Sequence, residues 1–233
     1  MLVIVDTLSF SSAVVTAVAG GGLIYPCALN EDAAAVAAEL GGEVAVPRRQ
    51  VPFFRRFSLS PLTYLNLVAG TKVVLASPNG ATCSQYEREV PYLFVGTLLN
   101  AAALASTLNH LLETTDLNLT IIACGERWEV SSTSASAAGA VFGEEDSGVR
   151  FAIEDYLGAG ALLSYLHCEK SPEARVCEAA FHSVQGELAE LLWNCESGRE
   201  LREKNYGSDV KHAARLNLYQ AVPVMRQGWL EQL

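Results

Sequence analysis

Three short polar clusters hold most of the residues in this chain that could do chemistry. Each follows an apolar run. The first is Asp6 with Thr7-Leu8-Ser9-Phe10-Ser11-Ser12, after residues 2–5. The second is Ser77-Pro78-Asn79-Gly80, after residues 72–76. The third is Cys124-Gly125-Glu126-Arg127, after residues 119–123. Hydroxyls and free N–H groups at helix starts can hold an anion, so Ser9, Ser11, Ser12, Asn79 and Gly80 are candidate phosphate contacts. Carboxylates at strand ends can hold Mg²⁺, which takes one or two protein carboxylates and keeps several waters. Asp6, Glu126, Glu154 and Asp155 are the available acids. A metal beside a phosphate polarises it and lowers the pKa of a bound water. Arg127, or an arginine from the 48–56 stretch, can pair with the anion. Cys124 is a candidate nucleophile. Together these residue types suit phosphate chemistry.

Each cluster also has a plainer reading. Asp6 can be a turn or cap residue. Asn79-Gly80 is a common tight turn. Glu154 and Asp155 can simply favour a helix dipole. Cys124 can be a small buried side chain. The joint case is stronger, because three strand ends are polar together. The chain has no Gly-x-Gly-x-x-Gly, no P-loop lysine and no Gly-x-Ser-x-Gly, so dinucleotide, nucleotide and α/β-hydrolase readings lose support. Asp6 lacks a following Asp-x-Thr, so an aspartyl-phosphate enzyme is not indicated. Cys168, Cys177, His167 and His182 match no common zinc spacing.

Placing three strand ends at one edge requires alternating strands and helices. Apolar runs at 2–5, 23–25, 43–46, 72–76, 92–95, 119–123 and 221–225 read as strands. Helices are predicted at 11–19, 31–40 (capped by Asn30), about 81–88, 100–112, 151–166 and 172–194, with further helix in the tail. A short helix near 61–68 interrupts an irregular basic stretch. The strands lack polar alternation, as expected when both faces are buried. The reading is α/β with a largely parallel sheet and a helical C-terminal portion, in a single domain over 1–233 with a possible subdivision near 117–130. Ligands in such sheets bind beyond the carboxyl ends of the strands. Residues 130–149 read as an inserted loop.

Composition excludes other classes. Half of the 233 residues are hydrophobic and 18% are charged, so a large core is available and a disordered chain is excluded. The net charge of −10 disfavours a nucleic-acid partner. Residues 44–86 nevertheless hold Arg48, Arg49, Arg55, Arg56 and Lys72 and no acid. The uncharged run 7–30 contains Gly20-Gly21-Gly22 and Pro26, so it is not read as a membrane span. Asp6 precedes it and no Lys or Arg does, so it is not read as a signal peptide. Six scattered cysteines without a Cys-x-x-Cys pair suit a reduced, cytoplasmic protein.

The ordered blocks resemble the 2-phosphosulfolactate phosphatase family. They are residues 3–15 with Asp6 and Ser11-Ser12, then Ser60-Pro61-Leu62-Thr63-Tyr64, Asn79-Gly80-Ala81 and Cys124-Gly125. Phe151-Ala152-Ile153-Glu154-Asp155-Tyr156-Leu157-Gly158-Ala159-Gly160-Ala161 follows, then Ser197-Gly198-Arg199-Glu200-Leu201, Asp209-Val210 and Val222-Pro223-Val224. The resemblance implies a three-layer α/β/α fold. It implies a Mg²⁺-dependent phosphatase releasing phosphate from 2-phospho-3-sulfolactate, on a route to coenzyme M. It also gives Arg199 an anion-binding role. The family carries Arg where Ser9 stands, Gly-Asn where Ser58-Leu59 stands and Thr-Thr where Ser77-Pro78 stands. Its chains begin before this strand, so a shortened start at Met1 is expected. The expectation is that fold and phosphate–metal site persist while specificity has moved. The enzyme reading takes a small anionic phosphorylated substrate. The alternative is a non-catalytic relative that binds an anionic metabolite or a protein. A homodimer is compatible with either.

Overall fold

A computed structural model describes residues 1–51, 57–127 and 148–233. Arg55 and Arg56 of the basic stretch, and nearly all of the inserted loop, lie outside the described residues. The first apolar run forms β1 (Leu2–Val5), buried on both faces. Leu2 and Ile4 pack under α1 (Phe10–Ala19), while Val3 and Val5 pack on the opposite face. Valines lower the helix propensity of α1, but burial of nearly every side chain decides the outcome. The chain continues through β2 (Leu23–Cys27), α2 (Ala33–Leu40), β3 (Glu43–Val44) and β4 (Lys72–Ala76). Then come α3 (Gly80–Cys83), β5 (Leu93–Val95), α4 (Ala101–Thr114) and β6 (Thr120–Ala123). A two-residue ribbon, β7 (Glu126–Arg127) and β8 (Val149–Arg150), precedes α5 (Ile153–Leu163). The helical portion is α6 (Pro172–Val184), α7 (Leu188–Asn194), α8 (Glu196–Glu203) and α9 (Gly207–Ala213). The chain closes with β9 (Pro223–Arg226) and β10 (Trp229–Gln232).

The eight-stranded sheet has the order β3-β4-β2-β10-β9-β5-β1-β6. Two parallel trios, β3-β4-β2 and β5-β1-β6, flank the antiparallel hairpin β9-β10. Helix α1 covers one face; α4 and α5, with α2 further along, cover the other. This is the three-layer α/β/α arrangement.

The hairpin alters the logic of the site. β10 is antiparallel to β2, and β9 to β5, so the two trios run in opposite senses along the ladder. Strand ends on opposed trios would lie at opposite edges of a flat sheet. Twist of roughly 20–25° per step accumulates over the five steps from β4 to β1 to roughly 100–125°. That rotation lets the ends of β4 and β1 meet: Gly80 N donates to Asp6 Oδ2 at 2.9 Å.

Several boundaries differ from the sequence reading. Helix α2 is capped by Asp32, not Asn30; its carboxylate accepts from Ala34 N and Ala35 N. The helix expected over 172–194 breaks into α6 and α7 at a 3-10 turn, Gln185–Glu187, which contains Gly186. The segment near 61–68 is a 3-10 turn, Pro61–Tyr64. Strand β10 was not expected. Its turn is Gln227-Gly228, both at positive φ (51° and 83°), which matches the twist of a tight hairpin.

Candidate active site at the ends of β1, β4 and β6

Asp6 is the hub. Its Oδ1 accepts from Phe10 N at 3.2 Å and its Oδ2 from Gly80 N. A Cβ on Gly80 would lie 2.2 Å from the Phe10 ring, so only glycine brings that N–H so close. Beside it, Asn79 Nδ2 donates to Glu126 Oε1 at 2.7 Å. Arg127 N donates to the same oxygen at 3.1 Å. Glu126 and Arg150 are cross-strand partners in the β7-β8 ribbon. Asp155, in the first turn of α5, accepts from Thr7 N at 2.7 Å and Gly125 N at 3.0 Å. It therefore ties the loops after β1 and β6 to one helix.

Asp6, Asn79, Glu126 and Arg127 border a cleft of about 540 Å³. Asp6, Ser9, Ser77, Asn79, Glu126 and Arg127 line it, as the strand-end rule requires. Arg48, Arg150, Ser197, Glu200 and Lys204 complete its polar wall. Four cationic side chains thus face three acidic ones.

Burial governs the electrostatics. It pushes the Asp6 carboxyl up to about 7, helped by the charges of Glu126 and Glu154 and opposed by the two N–H bonds. Glu126 is raised by burial, against the bond from Asn79. Asp155 lies well above the usual carboxylate range, from burial and then the charges of Asp6 and Glu154. The hydrogen bond between Cys83 and Cys124 pushes the Cys124 thiol far up, and burial adds to this. The same bond lowers Cys83.

The structure gathers only part of the sequence-based set into the cleft. Ser11 and Ser12 are buried and serve the backbone. Ser11 Oγ accepts from Asp6 N at 2.9 Å, and Ser12 Oγ donates to Thr7 O at 2.7 Å. Hydroxyls after a strand cap local backbone as readily as they bind anions. Cys124, Glu154 and Asp155 do not line the cleft, and Cys124 is held as a thiol rather than a thiolate. Arg199 does not line it either, and its guanidinium pairs with Glu196 one turn away on α8. The cleft's cations are instead Arg48, Arg127, Arg150 and Lys204. Arg48 was legible only as a member of an acid-free stretch. Nothing local marked Arg150, whose place depends on the β7-β8 pairing.

Arg48 is tightly held. Its Nε donates to Asp209 Oδ2 at 3.0 Å, and its Nη2 donates to Ser9 Oγ at 2.7 Å and Leu59 O at 3.2 Å. Ser60 Oγ donates to Asp209 Oδ1 at 2.6 Å. Two blocks that the sequence reading valued only as pattern, Ser60-Pro61 and Asp209-Val210, thereby hold one arginine.

Among the described residues no three His, Cys, Asp or Glu side chains gather as a metal-binding group. That argues against an all-protein cage. Mg²⁺ needs no cage, and two carboxylates sharing the cleft, Asp6 and Glu126, are each held above their ordinary pKa. A cation relieves that strain, so the donor set fits an ion held largely by water and substrate. Of the acids expected to bind metal, Asp6 lines the cleft, as does Glu126, while Glu154 and Asp155 do not.

The 2-phosphosulpholactate phosphatase family matches residues 1–228. A relative from Carboxydothermus hydrogenoformans, named "Probable 2-phosphosulfolactate phosphatase", is 28% identical over 241 residues, covering 99% of this chain and 87% of its own. One of the same name from Gloeobacter violaceus is 26% identical, covering 95% and 86%. Another, from Pseudothermotoga lettingae, is 26% identical, covering 95% and 88%. The twisted sheet, the cationic cleft and a match along almost the whole length agree: the chain belongs to the 2-phosphosulpholactate phosphatase family of phosphoric monoester hydrolases.

Proposed function

We propose that this protein hydrolyses 2-phosphosulfolactate to sulfolactate and phosphate with Mg²⁺. The observation that carries the reading is the cleft itself. A carboxylate with its pKa near neutrality sits among four cationic side chains, at the strand ends of a phosphatase-family fold. Arg127, Arg150, Lys204 and the Asn79 carboxamide bind the phosphoryl oxygens. Asp6 and Glu126 would hold the ion, which supplies charge neutralisation and a lower pKa for water. Water attacks phosphorus, the P–O bond to the sulfolactate carbon skeleton breaks, and the departing oxygen takes a proton. With no ion bound, burial holds the Asp6 carboxyl up to about 7, so an ion binding there would displace a proton near neutrality. Cys124 takes no part, because it does not line the cleft and its thiol is held protonated. The compartment we infer is a reducing one, since all six cysteines are free. No described helix is long and apolar enough to cross a membrane.

The test is phosphate release from 2-phosphosulfolactate, with Mg²⁺ and with chelator, for the wild type and Asp6→Asn. The expected result is Mg²⁺-dependent release that falls about 100-fold in the variant, which lacks one of the carboxylates that would hold the ion. No release by the wild type sinks the proposal. Release indifferent to chelator removes the metal from it.

A further inference from the structure

We propose that Arg48 reads a second acid group on the substrate, a sulfonate or carboxylate beyond the phosphate. It would thereby set the preference for multiply charged esters. This deepens the phosphatase reading and rests on it.

Arg48 stands apart from the other cations of the cleft. Arg127 and Arg150 belong to the β7-β8 ribbon beside Glu126. Arg48 comes from a 3-10 turn, Arg48–Gln50, and reaches the cleft beside Ser9 and Leu59. The cleft therefore draws its arginines from two separate elements, with Asp6 and Glu126 also in its lining. The Arg48 guanidinium is fixed from several sides. Asp209 takes Nε, Ser9 and Leu59 take Nη2, and the Tyr206 ring lies 5.3 Å from Cζ. Nη1 makes no hydrogen bond among the described residues. The side chain is 15% exposed and lines both this cleft and an adjoining pocket bordered by Leu29, Pro47 and Tyr206. Asp209 is buried and anchored by Ser60. This arginine is therefore preorganised, and an incoming anion does not have to order it. A phosphate held by the ribbon arginines leaves Arg48 for a different group on the same molecule. The two N–H groups of Nη1 can donate to the oxygens of a sulfonate or carboxylate.

The test compares four esters: 2-phosphosulfolactate, 2-phospholactate without the sulfonate, 2-phosphooxyethanesulfonate without the carboxylate, and ethyl phosphate without either. Arg48→Met should lower kcat/KM about 10- to 100-fold for esters bearing the group that Arg48 reads, mostly through KM. Ethyl phosphate should lose less than about threefold. The analogue that escapes the loss identifies whether sulfonate or carboxylate is read. An equal loss on all four esters, ethyl phosphate included, overturns the assignment. Because Arg48→Met strands Asp209, Ser9→Ala is run beside it. That variant keeps the Arg48–Asp209 pair and should lower the same preference several-fold. Unchanged preference in both variants also overturns the proposal. Binding of sulfolactate, measured by calorimetry, needs no turnover. Binding by the wild type that Arg48→Met weakens at least about tenfold supports the assignment even if no phosphate release is found. Equal binding by both contradicts it.

Discussion

Asp6 accepts two backbone N–H bonds, and its pKa is still pushed up to about 7. Burial and the charges of Glu126 and Glu154 outweigh those bonds. The consequence for stability has a definite sign. An unfolded Asp titrates near about 3.9. Between about pH 4 and 7 the folded state therefore binds more protons than the unfolded one. Stability attributable to this group falls as pH rises through that window, by up to about 1.4 kcal/mol per pH unit, and levels off above 7. In chelator, the unfolding free energy of the wild type minus that of Asp6→Asn should drop between pH 5 and pH 8, as urea denaturation would reveal. A difference that grows with pH would mean that the N–H bonds, not burial, dominate. Gly80 gives a second prediction at this scale. Alanine there drives a methyl into the buried Phe10 ring, and overpacking of this kind costs about 1–3 kcal/mol. It also pushes the Gly80 N–H away from Asp6. Gly80→Ala should lower both the denaturation midpoint and kcat. A fully active, fully stable variant would show that the turn has slack.

At the scale of elements, the central hairpin joins two parallel trios. Its turn depends on Gly228 at φ 83°, where a Cβ would also lie 3.1 Å from the Tyr25 ring. Gly228→Ala should cost about 1–2 kcal/mol, the usual cost of a left-handed backbone for a residue with a Cβ. A single shifted unfolding transition is expected, because β9 and β10 pair with both trios. Two separate transitions in calorimetry would show trios that melt independently. The sequence made some of this architecture plain and hid the rest. Residues 72–76 read as a strand with the observed bounds, because a short apolar run is bounded by Thr71 and Ser77-Pro78. β10 was hidden because Trp229-Leu230-Glu231-Gln232 buries only Leu230 and carries no apolar run. The largely parallel sheet was read correctly, but without β10 its strand ends met at one edge by rule rather than by twist. The site divides in the same way. Asp6, Asn79 and Glu126 follow strands and were legible from position. Arg150, Lys204 and Asp209 reach the site through tertiary packing of a ribbon and two late helices, which no local pattern encodes. Ser11 and Ser12 misled because a hydroxyl's local backbone partner cannot be read from its neighbours in sequence.

The whole molecule carries a net charge of −10, yet its cleft presents Arg48, Arg127, Arg150 and Lys204 against Asp6, Glu126 and Glu200. Burial holds Asp6 up to about 7, so the cleft is more positive near neutral pH than its residue count implies. Distance decides which charge a small anion meets. At physiological ionic strength charges beyond about 8 Å are largely screened, while a cleft with low-dielectric walls focuses its own field. The scattered acids of the surface should therefore matter little to a multiply charged ester, and the cations of the cleft should dominate. The prediction is a fall in kcat/KM of several-fold between low and roughly 0.3 M potassium chloride, carried by KM. Arg127→Gln should flatten that dependence, because Arg127 is an exposed cation at the cleft and its removal weakens the attraction that salt screens. If the global charge governed approach instead, added salt would relieve repulsion and kcat/KM would rise. Initial rates across a salt series, at constant free Mg²⁺, distinguish the two signs directly.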